Sequence, residues 1–456
     1  MRGFVLLLLG GGLVWWIWSG LGSSEAHEPE LDVAGEVLED RAPPPGRMLT
    51  PPPRPVEEAP QPEPQAAQAP APQEEPRSAL PEPRPAATLR RREETGRAPL
   101  DAARGFGDGR IVAECLLHRP HELPQVLAEQ GEGISQDRQR LVLSYAHAIA
   151  GRFGRAHELA SGLESSRDIS SAEWDLCRAL IAEDSQVRPV SASQGAQSPL
   201  LLAATMAWNA READRWLKAG EFQRAAETYS ELLQEEIRAP WAADRQTLEI
   251  WMEGLSRAQA QHRWNRDGNW PSIEVTVEPG ESLVAIRKRV LGANPGLLLC
   301  TGLIARANEL RGSMIHPGDR LRIPTDRAHM LVDLDARTTY YMLGDEVVSA
   351  WIVGIGRPGN DTRTGTYEVG DKQEEPMWFR PGQDPVPFGD PENPLGTRWL
   401  GWEDADGRES SLGFHGTNAP DGVGQAVSDG CIRMHNRDVE ELFEILPKGA
   451  SVVVQP

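Results

Sequence analysis

Two words of sequence near the C-terminus carry the chemistry: Phe414-His415-Gly416-Thr417-Asn418, then Ser428-Asp429-Gly430-Cys431-Ile432-Arg433-Met434. A thiol is a weak nucleophile until it loses its proton, because the thiolate is the reactive form. An imidazole within hydrogen-bond reach can take that proton near neutral pH. The residues between the two words, 419–426, are rich in Gly, Pro and Asp and form a turn-rich loop that can fold Cys431 back toward His415. Gly430 allows the close backbone approach that an oxyanion pocket of main-chain N–H groups requires. The residues alone leave other readings open. His415 and Cys431 can be ordinary core or surface residues, or can join His435 as zinc ligands. No C-x-x-C or H-x-x-x-H pair supports the metal, so no metal and no cofactor are expected.

The elements that must position this pair follow from the pattern around it. Residues 330–334 can form one strand, and 339–343, the Gly344-Asp345 turn and 347–355 form a hairpin. Asn436 is placed to cap a helix from about Arg437 to Leu446, with Asp438, Glu440 and Glu441 near its positive end. Val439, Leu442, Phe443 and Leu446 share one face of that helix, and 451–454 make a closing strand. Cys431 therefore sits on a short segment just before a helix, braced by Ile432 and Met434.

The words H-G-T-N and S-x-G-C-I-R-M resemble the signature of the L,D-transpeptidase (YkuD-type) catalytic domain. The likeness continues upstream in Asn393-Pro394-Leu395-Gly396-Thr397-Arg398-Trp399-Leu400-Gly401 and in Thr364-Gly365-Thr366-Tyr367, and covers 328–456. It implies a mainly-β domain performing cysteine-dependent acyl transfer on peptidoglycan. Cys431 would be the nucleophile, His415 the base, and the main-chain N–H groups of Gly430 and Cys431 the oxyanion donors. The thioester formed on a stem peptide would be resolved by an amine of a neighbouring stem, giving a 3→3 crosslink. Arg433, Ser428, Trp399 and Trp402 are expected to bind substrate, Arg433 by meeting a carboxylate with its forked donors. Core packing accounts for the tryptophans, and a structural ion pair for Arg433, about as well. Alternatives within the same fold are an L,D-carboxypeptidase and an enzyme that anchors a protein to the wall; a non-catalytic wall-binding scaffold is a third. One departure stands out: Asp429 occupies a position where many members carry a second histidine. A carboxylate there raises a neighbouring thiol's pKa by like-charge repulsion.

The rest of the chain reads as a series of modules. The 456 residues allow about three domains. A formal net charge of −21 argues against a nucleic-acid partner, which requires a basic face. Residues 1–24 hold an uncharged, mostly apolar run after Arg2 with acids following it, as in a transmembrane anchor that leaves the rest outside the cytoplasmic membrane. A cleaved signal peptide is the alternative, although no clear A-x-A site is present. Residues 25–104 crowd prolines and are sparse in apolar side chains, giving a disordered, partly polyproline linker. At about 3.1 Å per residue its extended reach is on the order of 200 Å. Residues 105–262 are helical, and Gly151-Arg152-Phe153 and Gly220-Glu221-Phe222 repeat a helix–glycine–aromatic–helix phrase that resembles the tetratricopeptide (TPR) unit. A protein partner for this region is one expectation and an ordinary helical bundle the other; Glu173 and Asp175 are expected on a solvated face. Residues 272–325 pair two strands with two short helices, between V-x-P-G-E-S-L and I-x-P-G-D-x-L-x-I-P. They resemble a LysM domain, which implies binding of peptidoglycan glycans. Cys115 and Cys177 could pair in an oxidising compartment.

Overall fold

The structure, a computed structural model, describes residues 109–130, 134–182, 198–238, 244–266, 268, 270–379 and 382–456. The expected anchor, 1–24, and linker, 25–104, lie outside the described residues. Among the described residues no helix is long and apolar enough to cross a membrane.

Helices come first: α1 (Gly109–His118), α2 (Leu123–Gln130), α3 (Gln136–Ile149), α4 (Phe153–Ala160), α5 (Ser171–Ile181), α6 (Pro199–Ala219), α7 (Phe222–Arg238) and α8 (Arg245–His262). Ser135, Ser170, Ser198 and Asp244 each accept a main-chain N–H of the following first turn, satisfying donors that the helix itself leaves open. The two repeated phrases are helix–turn–helix joints. Gly151 (φ +72°) ends α3 and Gly220 (φ +80°) ends α6, a left-handed conformation that a glycine adopts without penalty. The surface expectation for Glu173 is corrected. It is 4% exposed, completes a capping box with Ser170 and pairs with Arg138 at 2.7 Å. Asp175 does stay at the surface, paired with Arg178. Cys115 and Cys177 are buried free thiols: one donates to Arg119 O at 3.3 Å, the other lies 3.5 Å from Ser144 Oγ.

A βααβ unit follows, made of β1 (Ser272–Thr276), α9 (Leu283–Ala293), α10 (Thr301–Ala307) and β2 (Arg320–Pro324). Its strands pair antiparallel with Val275 opposite Leu321. Ser282 caps α9 as expected, accepting the Ala285 N–H at 3.3 Å. Asn308 laces α10 to β2 by donating to Ile304 O and Arg322 O and accepting the Arg322 N–H.

The C-terminal third contributes β3 (Ala328–Asp333), β4 (Thr338–Leu343), β5 (Glu346–Ile352), β6 (Ile355–Gly356), β7 (Gly365–Glu374), β8 (Arg398–Glu403), β9 (Glu409–His415), β10 (Ala426–Ser428), β11 (Ile432–Arg433), α11 (Asn436–Ile445) and β12 (Ser451–Gln455). Eight of these strands form one sheet in the order β11-β9-β8-β7-β12-β3-β4-β5, and β6 pairs with β10 beside it. All six residues of β3 and all six of β4 are buried, which requires cover on both faces. Alternation explains how. Leu331, Tyr340, Met342 and Val347 pack into one cluster with Ala226, Tyr229, Leu233, Trp251 and Leu255 of α7 and α8. Met330, Val332, Tyr341 and Leu343 face the other way, into a core shared with α11 and the βααβ unit.

Polar contacts fix both covers. Ser230 Oγ accepts the Val347 N–H at 2.9 Å, Gln259 donates to Glu346 at 2.6 Å, and Arg263 pairs with both Asp326 and Glu346. On the other side Cys300 Sγ donates to Glu444 O at 3.1 Å and Arg306 pairs with Glu441 at 2.9 Å. The sheet is thus built into its neighbours, where the sequence suggested modules in series.

Candidate active site

The end of the sheet formed by β8, β9 and β11 has a different character. Alternation sends Leu400, Trp402, Leu412, Phe414, Ile432 and Met434 into the core. It turns Trp399, Gly401, Gly413 and His415 to the opposite face. β11 runs parallel to β9 with Ile432 beside Phe414 and Arg433 beside His415. Continuing that pairing by one residue sets Cys431 beside Gly413, on the face that carries His415 and Arg433. The imidazole and the thiol thus lie on neighbouring strands and on one side of the sheet.

His415 is held from several directions. Its Nδ1 lies 2.6 Å from Gly416 O, so Nδ1 carries the proton as donor and Nε2 is left with the free lone pair. Trp399 sits opposite His415 in the β8–β9 register and stacks on it, ring centroids 6.0 Å apart at 30°. The indole lies flat because its neighbours lack side chains: a Cβ at Gly413 or at Gly401 would stand 2.9 Å from it.

Asn436 does work that the sequence reading missed. It was expected to cap α11 with its side chain; instead His435 occupies the cap position and no side chain caps the helix. Asn436 Oδ1 accepts the Thr417 N–H at 2.9 Å and the Thr397 N–H at 3.4 Å. It fits because both preceding residues are glycines; a Cβ at Gly416 would meet that oxygen at 2.1 Å and one at Gly396 at 2.2 Å. The signal was present in the sequence as two Gly-Thr pairs, Gly396-Thr397 and Gly416-Thr417.

The turn that carries Cys431 is braced internally. Ser428 was expected to face substrate. It is buried, and its hydroxyl donates to Cys431 O at 2.7 Å and accepts the Gly430 N–H at 3.1 Å. Gly430, expected to offer that N–H to an oxyanion, therefore spends it within the turn. Its φ of +117° favours glycine, and its carbonyl accepts from Thr362 Oγ1 at 2.8 Å. Trp402, expected to line the cleft, is 1% exposed and packs edge-on against Phe414 with centroids 5.0 Å apart. Arg433 is half-buried at the site, and its Nε is enclosed without a hydrogen-bond partner.

The electrostatics describe a neutral resting pair. Burial lowers the His415 pKa to about 4, opposed by the Gly416 carbonyl and reinforced by the Arg433 charge. Burial pushes Cys431 up to about 11, opposed by the Gly413 main chain and Arg433 and reinforced by Asp429. The thiol donates to Ser411 O at 3.3 Å, and no hydrogen bond joins it to His415 in this resting arrangement. Cys431 as a residue remains partly exposed. Among the described residues no group of three or more His, Cys, Asp or Glu side chains is placed to hold a metal ion.

Comparison with known proteins agrees with this geometry. A profile of the L,D-transpeptidase catalytic domain (YkuD) matches residues 327–454. The L,D-transpeptidase designated YqjB of Bacillus subtilis is 36% identical over 139 residues, 30% of this chain and 72% of that protein. The one designated YkuD of Bacillus licheniformis is 31% identical over 193 residues, 40% of this chain and 97% of that protein. YbiS of Escherichia coli is 32% identical over 157 residues, 31% of this chain and 49% of that protein. With register, glycine pattern and sequence likeness in agreement, the chain belongs to the YkuD family of L,D-transpeptidases.

Proposed function

We propose that this protein is a peptidoglycan L,D-transpeptidase in which Cys431 forms the acyl-enzyme and His415 moves the protons. The observation that carries the reading is the β9–β11 register, with Arg433 beside His415 and hence Cys431 on the imidazole's face of the sheet. The resting S–H bond to Ser411 O makes rotation of the Cys431 side chain the first step, which brings the thiol toward His415 Nε2. Hydrogen bonds of this kind are often long in unliganded enzymes and tighten on substrate binding. With Nδ1–H held by Gly416 O, Nε2 accepts the thiol proton. The thiolate attacks the carbonyl of the third stem residue, and the imidazolium hands the proton to the departing D-alanine amine. An amine of a neighbouring stem then attacks the thioester and restores the thiol.

Since Ser428 occupies the Gly430 N–H, the Cys431 N–H is the main-chain donor assigned to the developing oxyanion. The half-buried Arg433 is assigned to a stem carboxylate through its guanidinium. Trp399 forms the wall that fixes the base. Ser428 and Gly430 set the shape of the turn, and Trp402 belongs to the core. The βααβ unit is assigned as a LysM domain over 272–325, presenting glycan strands to the catalytic domain over 328–456. The helical region over 105–262 is assigned as TPR-like hairpins available to a protein partner on the surface that the sheet does not cover. This activity places the protein in the bacterial envelope. An anchor at 1–24 with the 25–104 spacer would hold the catalytic domain outside the cytoplasmic membrane.

The test is digestion of purified sacculi after incubation with the protein and with its Cys431→Ala variant. New 3→3 dimers from the first and none from the second are expected. Trimmed monomers without dimers would mean that water is the acceptor, and an unchanged digest would remove the enzyme reading.

A further inference from the structure

Beside the nucleophile lies an ion pair that the acylation step does not use. Asp429 is two residues before Cys431, and its Oδ1 accepts from Asn360 Nδ2 at 2.8 Å and meets an Arg357 guanidinium nitrogen at 2.6 Å. Both bonds fall on one oxygen; Oδ2 has no partner among the described residues. The side chains are largely open to solvent, 56% for Arg357 and 69% for Asp429, so the pair adds little to stability. The backbone beneath it, however, is held. Arg357 N–H donates to Ser428 O at 2.9 Å and Asn360 N–H to Arg357 O at 2.8 Å. The buried Thr362 hydroxyl accepts the Gly356 N–H at 2.9 Å and donates to Gly430 O at 2.8 Å. The backbone segments that carry this guanidinium and this carboxylate are thereby held against the turn that bears the sulfur, and each side chain has hydrogen-bonding capacity to spare.

We infer that Arg357 and Asp429 form the acyl-acceptor subsite and recognise the zwitterionic end of an amino acid, Asp429 taking the ammonium and Arg357 the adjacent carboxylate. This rests on the acyl-transfer reading above. A diamino-acid residue whose free amine stands next to its own carboxylate has this charge pattern. So does a free D-amino acid. Water and simple amines do not. The ammonium docks on Asp429, loses one proton to solvent and attacks the thioester carbonyl. The C–N bond forms, the C–S bond breaks, and His415 carries the second amine proton to the departing sulfur. The subsite raises the share of transfer over hydrolysis, because it concentrates the amine at the thioester.

The experiment follows aminolysis of the acyl-enzyme formed with a soluble tetrapeptide donor. The two acceptors are a D-amino acid and the amine that lacks its carboxyl group. Asp429→Asn is expected to raise the acceptor KM about tenfold for both, with kcat at saturating acceptor nearly retained. Arg357→Gln is expected to raise it for the amino acid alone, and Asp429→Glu to recover part of the loss. Unchanged acceptor KM values, or a shift in the donor's KM instead, would overturn the subsite while leaving Cys431 acylation intact. Failure of the unaltered protein to form an acyl-enzyme with this donor would overturn the transferase reading, and the subsite with it.

Discussion

The two ends of the eight-stranded sheet are built on opposite plans. At the β3–β4–β5 end every position of β3 and β4 is buried, with Tyr340 and Met342 under helices on one face and Tyr341 and Leu343 in the shared core on the other. At the β8–β9–β11 end only one face is packed with large side chains; on the other, Gly401 and Gly413 leave room for the Trp399 indole that stacks on His415. Large alternating residues lock one half into its neighbours. Small ones let the other half hold reactive groups close to the backbone. Rigidity is supplied at one end so that precise placement is available at the other.

The largest effect should come from His415, the proposed base. His415→Ala is expected to slow acylation by about a hundredfold to ten-thousandfold, the usual range for a positioned general base, while the protein keeps its melting temperature to within a few degrees. Measuring acylation rate and thermal melt on the same preparation checks this. An acylation rate within a few-fold of the unaltered protein would break the contrast, because the reactive end would then need no imidazole. Next is Gly416→Ala, which drives a methyl group into Asn436 Oδ1. It should cost activity more than stability, and a Gly416→Ala/Asn436→Ala double variant should recover part of the lost rate. At the other end Leu331→Ala should reverse the ratio. Removing a fully enclosed leucine costs about 2–5 kcal/mol, seen in denaturant unfolding, with the acylation rate retained under folding conditions.

The pH dependence is the subtlest. His415 titrates at about 4 in the folded protein against 6.5 for a free side chain. Between those values the unfolded chain binds a proton that the folded chain does not. Stability therefore rises with pH across this window and declines as pH falls from 6.5 toward 4. The acid limb of the acylation rate should lie near pH 4, where the imidazole becomes charged and can no longer accept a proton. His415→Ala should flatten the stability slope in that window.

Much of the β8–β9–β11 end was legible in the sequence, because its parts are close along the chain. His415, the turn-rich 419–426 loop, Cys431 and the terminal helix all fall within a short segment. Ile432 and Met434 pack inward as bracing residues. What the sequence did not carry was register. Trp399 and Trp402 look alike as neighbours of the site. Only the pairing of Trp399 with His415 shows which one touches the imidazole, while Trp402 lies in the core. Ser428 sits inside the signature yet spends its hydroxyl on Cys431 O and the Gly430 N–H, a choice set by the turn and not by residue type. Glu173 looked like a surface acid until Arg138, 35 residues away, supplied its partner. The docking of α7 and α8 on the sheet rests on contacts as distant as Ser230 with Val347. Neither helical periodicity nor strand alternation records such separations.

The account turns on one sulfur. Mass spectrometry of the intact protein after incubation with a carbapenem, which opens to acylate a reactive thiol, tests it most directly. The prediction is a single adduct, mapped to Cys431 by peptide digestion, present in the unaltered protein and absent from Cys431→Ala. An adduct that persists in the variant, or that maps to Cys300 or to any other side chain, would contradict it.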